Sequence, residues 1–377
     1  MDAINQSNFQ KQNFVAITYM CCTLINTGKE YKDQLKHFCE NITTFRDQIC
    51  LNSKDSYAIT FEISIFKLIN LLFYIILFTV GIFGNLLILV CIFSLKHMRT
   101  ISNMFLANLA ISDLFIFLIC QPLSLTTIIY SSWVFGEKFC KLQGLLQGTN
   151  LGVSILSLLG LNIERYVAVR KMRFGNQLYR RKLCIMYIIG IWCIAGSISL
   201  PLAFSTELKK GIDKKQYCLE TWWGTIFWKQ FYTIMLFLVL YAFPLLSMII
   251  LYYLILTKVK NSMKQQTFTT NHSTRNYVTR LRTQRTRISK VSTALVCLFT
   301  ICWLPYHIVN IYADFQILNE NQTKVYYLIN YGYPIVQWLV YSNSAINPLS
   351  TIFISQKFRF AVFQVKQRRF NSRSTFQ

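Results

Sequence analysis

The sequence has few charged residues, and acids are the rarer kind among them. Charged residues make up 14% of the 377 residues, with 15 acids against 39 lysines and arginines, while 53% of the chain is hydrophobic. A soluble chain of this length usually carries about 25% charge. The shortage of charge excludes an ordinary water-covered surface and favours apolar surface that faces lipid.

Three further absences narrow the class of protein. We find no internal repeat, which argues against a transporter built from inverted repeats. No cysteine follows Cys302, so a palmitoylated tail anchor is not expected. Residues 14–25 are only weakly apolar and lack a basic start, so a cleavable signal peptide is not predicted and the first apolar stretch is expected to direct insertion.

Seven apolar stretches are each long enough to cross the hydrocarbon core as a helix, which takes about 20 residues. Asp113 is the single charged residue within them. They are 68–95, 104–130, 142–163, 183–204, 230–257, 291–313 and 325–356. Closed barrels show short alternating segments instead. The sequence therefore predicts an all-α membrane protein, a seven-transmembrane helix bundle.

The basic residues are concentrated in alternate loops. If residues 1–63 lie outside, the inner segments 96–99, 164–182, 258–290 and 357–377 hold 24 of the 39 lysines and arginines and one acid, Glu164. Residues 1–63 hold 6 basic and 7 acidic groups. This positive-inside pattern predicts a multi-pass plasma-membrane protein with an extracellular N-terminus. The charge of +24 is thus expected to meet inner-leaflet lipid and a cytoplasmic partner, with no nucleic acid.

The chain divides into one membrane domain with polar ends. We predict an extracellular segment at 1–63, a transmembrane domain at 64–356, and a cytoplasmic amphipathic eighth helix and tail at 357–377. The inner loop 258–290 is expected to be part helix extension and part disorder. Sequons on the outer side predict glycosylation at three asparagines, Asn5, Asn41 and Asn321.

Cysteines fall into three groups. Cys140 and Cys218 both lie at outer boundaries in an oxidising compartment, so a disulfide between them is predicted. The pairing of the cysteines in the N-terminal segment stays open; these are Cys21, Cys22, Cys39 and Cys50. The remaining six lie inside the apolar stretches and are expected to be core residues.

Polar groups in lipid are costly, so the buried acid needs an explanation. Asp113 is either a cation or proton site or a neutral, hydrogen-bonded packing residue. Candidate partners are Asn85, Ser154, Asn343, Ser344 and Asn347. Five spans also contain a proline that can kink its helix; these are Pro122, Pro201, Pro244, Pro305 and Pro348.

An ordered set of motifs runs through the predicted spans. They are Gly84-Asn85, Asn108 to Asp113, Trp133 to Gly136 with Cys140, Glu164-Arg165-Tyr166, Trp192, Pro244, Tyr252, Phe299, Cys302 to Pro305 and Asn347-Pro348. With these motifs, about residues 64–367 resemble the rhodopsin-like (class A) G-protein-coupled receptors. The order and depth of the motifs make the resemblance specific.

The resemblance implies functional roles. G-protein coupling and switching would involve Glu164, Arg165, Tyr166, Tyr252, Phe299, Asn347 and Pro348. A sodium ion would be held by Asp113, Ser154, Asn343, Ser344 and Asn347, with no other cofactor. Partners would be a heterotrimeric G protein, arrestin and a receptor kinase, and the chain would not be an enzyme.

Two departures from the family pattern affect the inner end. Thr351 replaces the tyrosine of the Asn-Pro-x-x-Tyr motif, so the inner water network must differ. Arg285 stands where many relatives carry the acid that pairs with the switch arginine. Because Arg285 would repel Arg165, that inactive-state salt bridge cannot form, and elevated basal signalling is expected.

The ligand-facing positions narrow the ligand class. Gln147 replaces the aspartate that the resemblance requires for amines, and Tyr341 replaces the lysine that retinal needs. Gln147 is the residue found at this position in many neuropeptide receptors, and the loop from Gln216 to Trp223 is similar to that of the orexin and neuropeptide FF receptors. Asp314 matches the acid that meets a ligand arginine in neuropeptide Y and neuropeptide FF receptors. We therefore predict a neuropeptide ligand whose C-terminal part carries arginine and an aromatic amide.

Glu220 and Asp314 would attract the ligand arginine, or they would pair only with loop lysines such as Lys209 or Lys214. The other predicted ligand-binding residues are Gln121, Gln147, Trp222, Trp303, Tyr306, His307, Gln337 and Tyr341. The alternatives are a class A receptor for a non-peptide ligand and a seven-span transporter. An intramembrane hydrolase is disfavoured because His307 is the only histidine in the spans and no second acid accompanies Asp113.

Overall fold

A computed structural model of the chain describes residues 53–170, 177–211, 215–222, 226–266, 272–316 and 327–374. The predicted glycosylation sites Asn5, Asn41 and Asn321 and the N-terminal cysteines lie outside these ranges. Within them the chain forms eight long helices, one short 3-10 helix at Lys96–Met98 and one hairpin. The helices are α1 Ser53–Ser94, α2 Ile101–Tyr130, α3 Gly136–Arg170, α4 Gln177–Ser205, α5 Ile226–Gln266, α6 His272–Gln316, α7 Leu328–Ile354 and α8 Gln356–Ser374.

Three of these helices contain a π turn, and in each the turn lies just before a proline. In α2 it spans Ile116–Cys120, in α5 Leu238–Ala242 and at the start of α7 Leu328–Gly332. Pro122, Pro244 and Pro334 each follow two residues later. A proline donates no backbone hydrogen bond and crowds the carbonyl four residues earlier. The wider turn accommodates that crowding without ending the helix.

The apolar surface of the bundle is turned outward. Six helices are long and apolar enough to cross a membrane, and within the described ranges they are Ile65–Ser94, Ile101–Tyr130, Gly136–Ala168, Leu178–Ser205, Ile226–Lys258 and Thr293–Phe315. Helix α7 completes a bundle of seven and carries a run of buried polar side chains from Ser342 to Ser344. Large hydrophobic side chains such as Phe83, Met186 and Tyr253 are exposed, as lipid contact requires.

Polar side chains also join the helices inside the bundle. Trp192 of α4 donates its indole N–H to Asn108 Oδ1 over 2.9 Å, and Asn108 donates to Ser157 Oγ of α3 over 2.8 Å. On the other side, Asn85 of α1 donates to the carbonyl oxygen of Ser344 over 3.2 Å. These bonds hold α1–α4 and α7 in register at the depth of the bilayer core.

The inner loop 258–290 is helical where the structure describes it, since α5 extends to Gln266 and α6 begins at His272. The disorder predicted for part of this loop stays a prediction. Two other predictions need correction. Helix α7 ends at Ile354, because Ser355 adopts an extended backbone and α8 begins at Gln356. Of the six cysteines in the spans, Cys193 and Cys297 are exposed on the outside of the bundle and are not core residues.

A β-hairpin crosses the outer face, which the sequence analysis did not predict. Strands β1 Thr206–Lys210 and β2 Gln216–Glu220 pair antiparallel, with Leu208 opposite Cys218. The predicted disulfide Cys140–Cys218 is present and ties β2 to the first turn of α3. The hairpin is thereby fixed over the outer end of the bundle.

Helix α8 has two apolar sides. Phe358 and Ala361 are buried against the bundle, whereas Phe360 and Phe363 are exposed together with Lys357. The buried side docks the helix below α1 and α7. The exposed phenylalanines and the basic residues suit an inner-leaflet surface, as predicted for the amphipathic eighth helix.

Candidate functional site

Two of the three predicted ligand-binding glutamines, Gln147 and Gln337, bond to one tyrosine, Tyr341. The hydroxyl of Tyr341 accepts from Gln147 Nε2 over 3.1 Å, is 2.8 Å from Ser124 Oγ, and also shares a hydrogen bond with Gln337. Gln121 is fully buried and donates to the Tyr74 carbonyl over 2.8 Å, and its Oε1 has no partner among the described residues. The structure thus brings α2, α3 and α7 together around a polar pocket floor.

An aromatic column follows α6 inward from this pocket. Tyr306, Trp303 and Phe299 pack ring against ring, with centroids 5.7 and 5.9 Å apart. His307 is buried beside Phe237 and Tyr241 of α5, 5.6 and 4.9 Å away. The Nε2 of His307 and the Nε1 of Trp303 have no hydrogen-bond partner in the described part of the chain. The column therefore connects the pocket to the buried core between α5 and α6.

Asp314 already has a cationic partner in the folded chain. Lys229 Nζ of α5 lies 2.9 Å from Asp314 Oδ1, and the acid and base side chains are 5% and 27% exposed. Thr233 donates to Asp314 Oδ2 over 2.5 Å, and Gln230 donates to the Asp314 carbonyl oxygen over 2.9 Å. Both carboxylate oxygens are therefore occupied, and the pair joins α5 to α6 at their outer ends.

The partner of Asp314 differs from the lysines considered in the sequence analysis. Lys209 lies 3.5 Å from Glu207 on the hairpin, and Lys214 lies outside the described ranges. The sequence does not indicate Lys229 as a partner of Asp314, because the predicted fifth span begins one residue later, at 230. Helix α5 in fact begins at Ile226, which places Lys229 on the helix rather than in a loop.

Glu220 is the exposed acid of the outer site. It ends β2, two residues after the disulfide-bonded Cys218, so both side chains lie on one face of the strand. Trp222 donates its indole N–H to Glu220 Oε2 over 3.2 Å and packs on Tyr232 at 4.8 Å. The charges of Glu220 and Asp314 both act on Lys229 and Tyr306. Glu220 and Asp314 thus lie around the same lysine, and two carboxylates share one cation in this cluster.

Asp113 lies at the centre of the bundle, fully buried. Its Oδ1 accepts from Ser344 Oγ over 2.6 Å and its Oδ2 from Asn347 Nδ2 over 3.1 Å. Among the described residues, Ser154 Oγ and Asn343 Oδ1 are buried without a hydrogen-bond partner. Asn343 lies one helical turn from Asn347 and shares its face. A small, mostly apolar cavity borders Asp113 and Asn347, and neither Ser154 nor Asn343 is among its lining residues.

At the inner end, Glu164 pairs across helices. Both its carboxylate oxygens accept from Arg180 Nη2 of α4, at 3.3 and 3.4 Å. Arg165 Nε has no hydrogen-bond partner within the described residues. The Tyr166 ring packs under Arg170, 5.2 Å from its guanidinium carbon, and Tyr252 of α5 is exposed. The side chain of Arg285 lies outside what the structure describes.

In the α7 motif, Thr351 stands at the position where the family pattern has tyrosine. Its hydroxyl donates to the Asn347 carbonyl oxygen over 2.9 Å, and the side chain is buried. Thr351, Pro348 and Asp113 all line the same small cavity. A small cavity thus lies between Thr351 and the buried acid.

Seven packed helices, a disulfide-tied hairpin over a polar outer pocket and a charged motif at the inner end define a multi-pass membrane receptor. Residues 84–350 match the family described as 7 transmembrane receptor (rhodopsin family). The chain therefore belongs to the rhodopsin family of seven-transmembrane receptors, a family of signalling receptors, as its motifs indicated.

Several relatives are receptors whose names refer to peptides. The QRFP-like peptide receptor of Branchiostoma floridae is 31% identical over 300 residues, covering 78% of this chain and 76% of the relative. Neuropeptide FF receptor 2 of Mus musculus is 26% identical, covering 78% of this chain and 72% of the relative. Galanin receptor type 1 of Mus musculus is 27% identical, with 81% and 83% covered. The resemblance to the neuropeptide receptor group is confirmed.

Proposed function

We propose that this chain is a plasma-membrane receptor, N-terminus outside, activated by an extracellular neuropeptide that carries arginine and an aromatic amide at its C-terminal part. The sharing of Lys229 by the two carboxylates of Glu220 and Asp314 is the observation that carries the proposal, because a second cationic side chain, supplied by a ligand, can pair with the exposed Glu220. The relatives named for peptides support the ligand class. Glycosylation at Asn5, Asn41 and Asn321 belongs to the same hypothesis.

The geometry supports different roles in ligand binding for the two outer acids, Glu220 and Asp314. Glu220 is exposed and meets the ligand arginine first. Asp314 is held by Lys229 and Thr233, so the ligand reaches it only by displacing Lys229. The pocket floor around Tyr341, with Gln147 and Gln337, offers amide groups that can both donate to and accept from an amide terminus.

Signal transfer would follow the aromatic column. A ligand that presses on Tyr306 and Trp303 moves rings that pack in sequence onto Phe299, on the helix that contains Pro305. The inner half of α6 then moves, and Arg165 and Tyr252 engage a heterotrimeric G protein. Receptor kinase and arrestin are the further partners expected from the family resemblance.

A sodium ion fits the buried acid. Asp113, Ser344 and Asn347, with the unpartnered oxygens of Ser154 and Asn343, would hold it through hard oxygen donors. The ion would supply a positive charge that stabilises one packing of α2, α3 and α7.

A peptide-library screen on cells that express the full chain tests the ligand class, with calcium and cyclic AMP recorded together. We expect peptides that end in Arg-Phe-amide to be the strongest agonists. A response to small amines without any response to peptides would indicate a receptor for a non-peptide ligand. Mock-transfected cells provide the baseline.

A further inference from the structure

The outer end of α1 carries a lysine that the proposed ligand site does not use. Lys67 reaches across to the turn that follows α2, where its ammonium donates to Ser131 Oγ over 2.9 Å and to the Ile129 carbonyl oxygen over 3.4 Å. Both acceptors are neutral, and an ammonium has a third N–H to donate. These two bonds therefore fix the position of the cation without neutralising its charge.

A second lysine comes to the same place from the hairpin. The backbone N–H of Trp133, two residues after Ser131, donates to the Gln216 carbonyl oxygen over 2.6 Å, which ties the α2 turn to the start of β2. Lys215 directly precedes Gln216 and is exposed, and its charge acts on Lys67. Because two like charges repel each other, an anion that binds at both ammonium groups would remove an unfavourable interaction.

This pair of lysines and Glu220 lie at opposite ends of β2. The strand Gln216–Glu220 begins directly after Lys215 and is extended. A strand advances about 3.3 Å per residue, so Lys215 and Glu220 are about 17 Å apart along the backbone. The outer face thus presents cations at one end of the strand and a carboxylate at the other.

We propose that Lys67 and Lys215 form a second ligand subsite, which binds an acidic side chain of the peptide while Glu220 binds its arginine. An extended peptide advances about 3.3–3.6 Å per residue, so the acid lies about five residues from the arginine. Because the arginine is near the C-terminus of the proposed ligand, the acid precedes it. The inference rests on the proposed function and narrows the class of peptide that the receptor recognises.

The probe is a set of synthetic peptides that end in Arg-Phe-amide and differ at one upstream position. Each carries an aspartate two, five or eight residues before the arginine in a glycine and serine sequence, and each has a twin with asparagine there. Asparagine keeps the size of the side chain and removes the charge. The ratio of potencies within a twin pair, measured as half-maximal calcium or cyclic AMP response, therefore reports the charge alone.

On the wild-type receptor we expect the aspartate at the five-residue spacing to raise potency about fivefold over its twin, the size of a partly exposed ion pair. At the other two spacings the gain should be smaller. An aspartate gain that is absent at every spacing, or equal at all three, would overturn the inference, since a general attraction to a basic surface has no preferred spacing.

Receptor variants assign the effect to the two lysines. K67Q should bring the potency ratio close to one, K215Q should lower it in part, and K67R should retain it because the cation remains. K210Q is the matched control, since Lys210 is exposed on the neighbouring strand, opposite Gln216. It removes an equal charge from the same hairpin and should leave the ratio unchanged.

A gain that persists in both K67Q and K215Q, or that falls equally in K210Q, would contradict the subsite. The ratio compares two peptides on one receptor, so a lower surface level does not alter it. If K67Q fails to reach the cell surface because Lys67 also bonds the end of α2, the comparison of K215Q with K210Q decides.

Failure of the inference is distinct from failure of the proposed function. Activation by the Arg-Phe-amide peptides without any gain from an aspartate contradicts the lysine subsite alone. No activation by any of these peptides contradicts the proposed function, and the subsite with it.

Discussion

The outer and inner ends of the bundle each contain an acid that is paired with a base from a neighbouring helix. Outside, Asp314 pairs with Lys229 at 2.9 Å, and the acid is 5% exposed. Inside, Glu164 pairs with Arg180 at 3.3 Å, and the acid is 17% exposed. The outer pair is closer, drier and supported by Thr233. For either acid to bind a ligand or act as a switch, it must first release the base it is paired with. Releasing Lys229 from Asp314 is expected to cost more free energy than releasing Arg180 from Glu164.

Breaking the outer pair is expected to have the largest effect. D314N leaves Lys229 without its counter-ion, and losing one member of a fully buried pair costs about 3–5 kcal/mol. Because Lys229 is 27% exposed, water offsets part of this cost, and we expect a loss of about 2 kcal/mol in the free energy of unfolding. Thermal unfolding of the purified receptor in detergent should show a lower Tm.

The neutral double variant K229Q/D314N is the control for this prediction. It removes both charges, so it should recover most of the lost Tm. If the double variant is as unstable as D314N, the loss of stability comes from packing rather than from the unpaired lysine. The Asp314–Lys229 pair would then not be stronger than the Glu164–Arg180 pair.

A synthetic peptide that ends in Arg-Phe-amide can test whether a ligand arginine binds Glu220 and replaces Lys229 at Asp314. E220Q should lower its potency about tenfold or more, because a hydrogen bond to a charged group contributes about 1.5–3 kcal/mol. K229Q, which releases Asp314, should instead raise potency. Potency is measured as the agonist concentration that gives half-maximal calcium or cyclic AMP response.

The control for E220Q is a peptide with citrulline, which has the shape of arginine without its charge. Together the two peptides and the two receptors form a double-mutant cycle. The citrulline peptide should be weak on the wild-type receptor and should lose nothing further on E220Q. An equal loss of both peptides on E220Q would mean that Glu220 does not meet the arginine.

Between the two ends, Asp113 provides a third buried acid whose proposed partner is an ion. In the wild type, replacing choline by sodium in the buffer should weaken agonist binding about fivefold. D113N should abolish this sodium effect, since an amide carries no charge to hold the cation. Radioligand competition in sodium and choline buffers measures both. Sodium sensitivity retained in D113N would contradict the assignment of the site.

The smallest expected effect concerns Thr351 at the inner end. T351Y places a phenol in or beside the cavity that Thr351 shares with Asp113. From the family resemblance we expect the phenol to favour the active state, with agonist affinity raised about threefold. T351F, which adds the ring without the hydroxyl, is the matched control and should not raise affinity. Equal affinities for T351Y and T351F would assign the change to ring volume alone.

Much of the fold follows directly from hydropathy and charge. Seven spans can be recognised in the sequence because a chain that crosses lipid must form all its backbone hydrogen bonds within a helix. The side chains that face the lipid must also be uncharged, which leaves long apolar stretches. The Cys140–Cys218 disulfide followed from the position of both residues at outer boundaries. The basic amphipathic pattern after residue 356 likewise predicted helix α8.

The ion pairs could not be predicted in the same way. Lys229 lies just outside the apolar run that defined the fifth span, so hydropathy assigned it to a loop. Arg180 lies among seven bases in one inner segment, and nothing in the sequence distinguishes it from Arg181. Partner choice depends on which helix faces meet, and that is set by packing between helices rather than by local pattern.

The hairpin was missed for a related reason. Residues 206–210 and 216–220 pair in a hairpin whose second strand is fixed to α3 through Cys218. A single two-stranded hairpin is marginal in water without such support. Its local sequence carries several charges and little alternation, so the strands depend on the disulfide and on the bundle below them.

The π turns in α2, α5 and α7 also determine how residue positions can be compared between this chain and its relatives. A turn that holds one extra residue rotates everything beyond it by about 100° relative to a regular helix. A residue count that starts from Asp113 and crosses Ile116–Cys120 therefore assigns Gln121 to the wrong face unless the relative has the same turn. Positions in the inner halves of these helices can be matched by simple offset, whereas positions in the outer halves need a superposition in space.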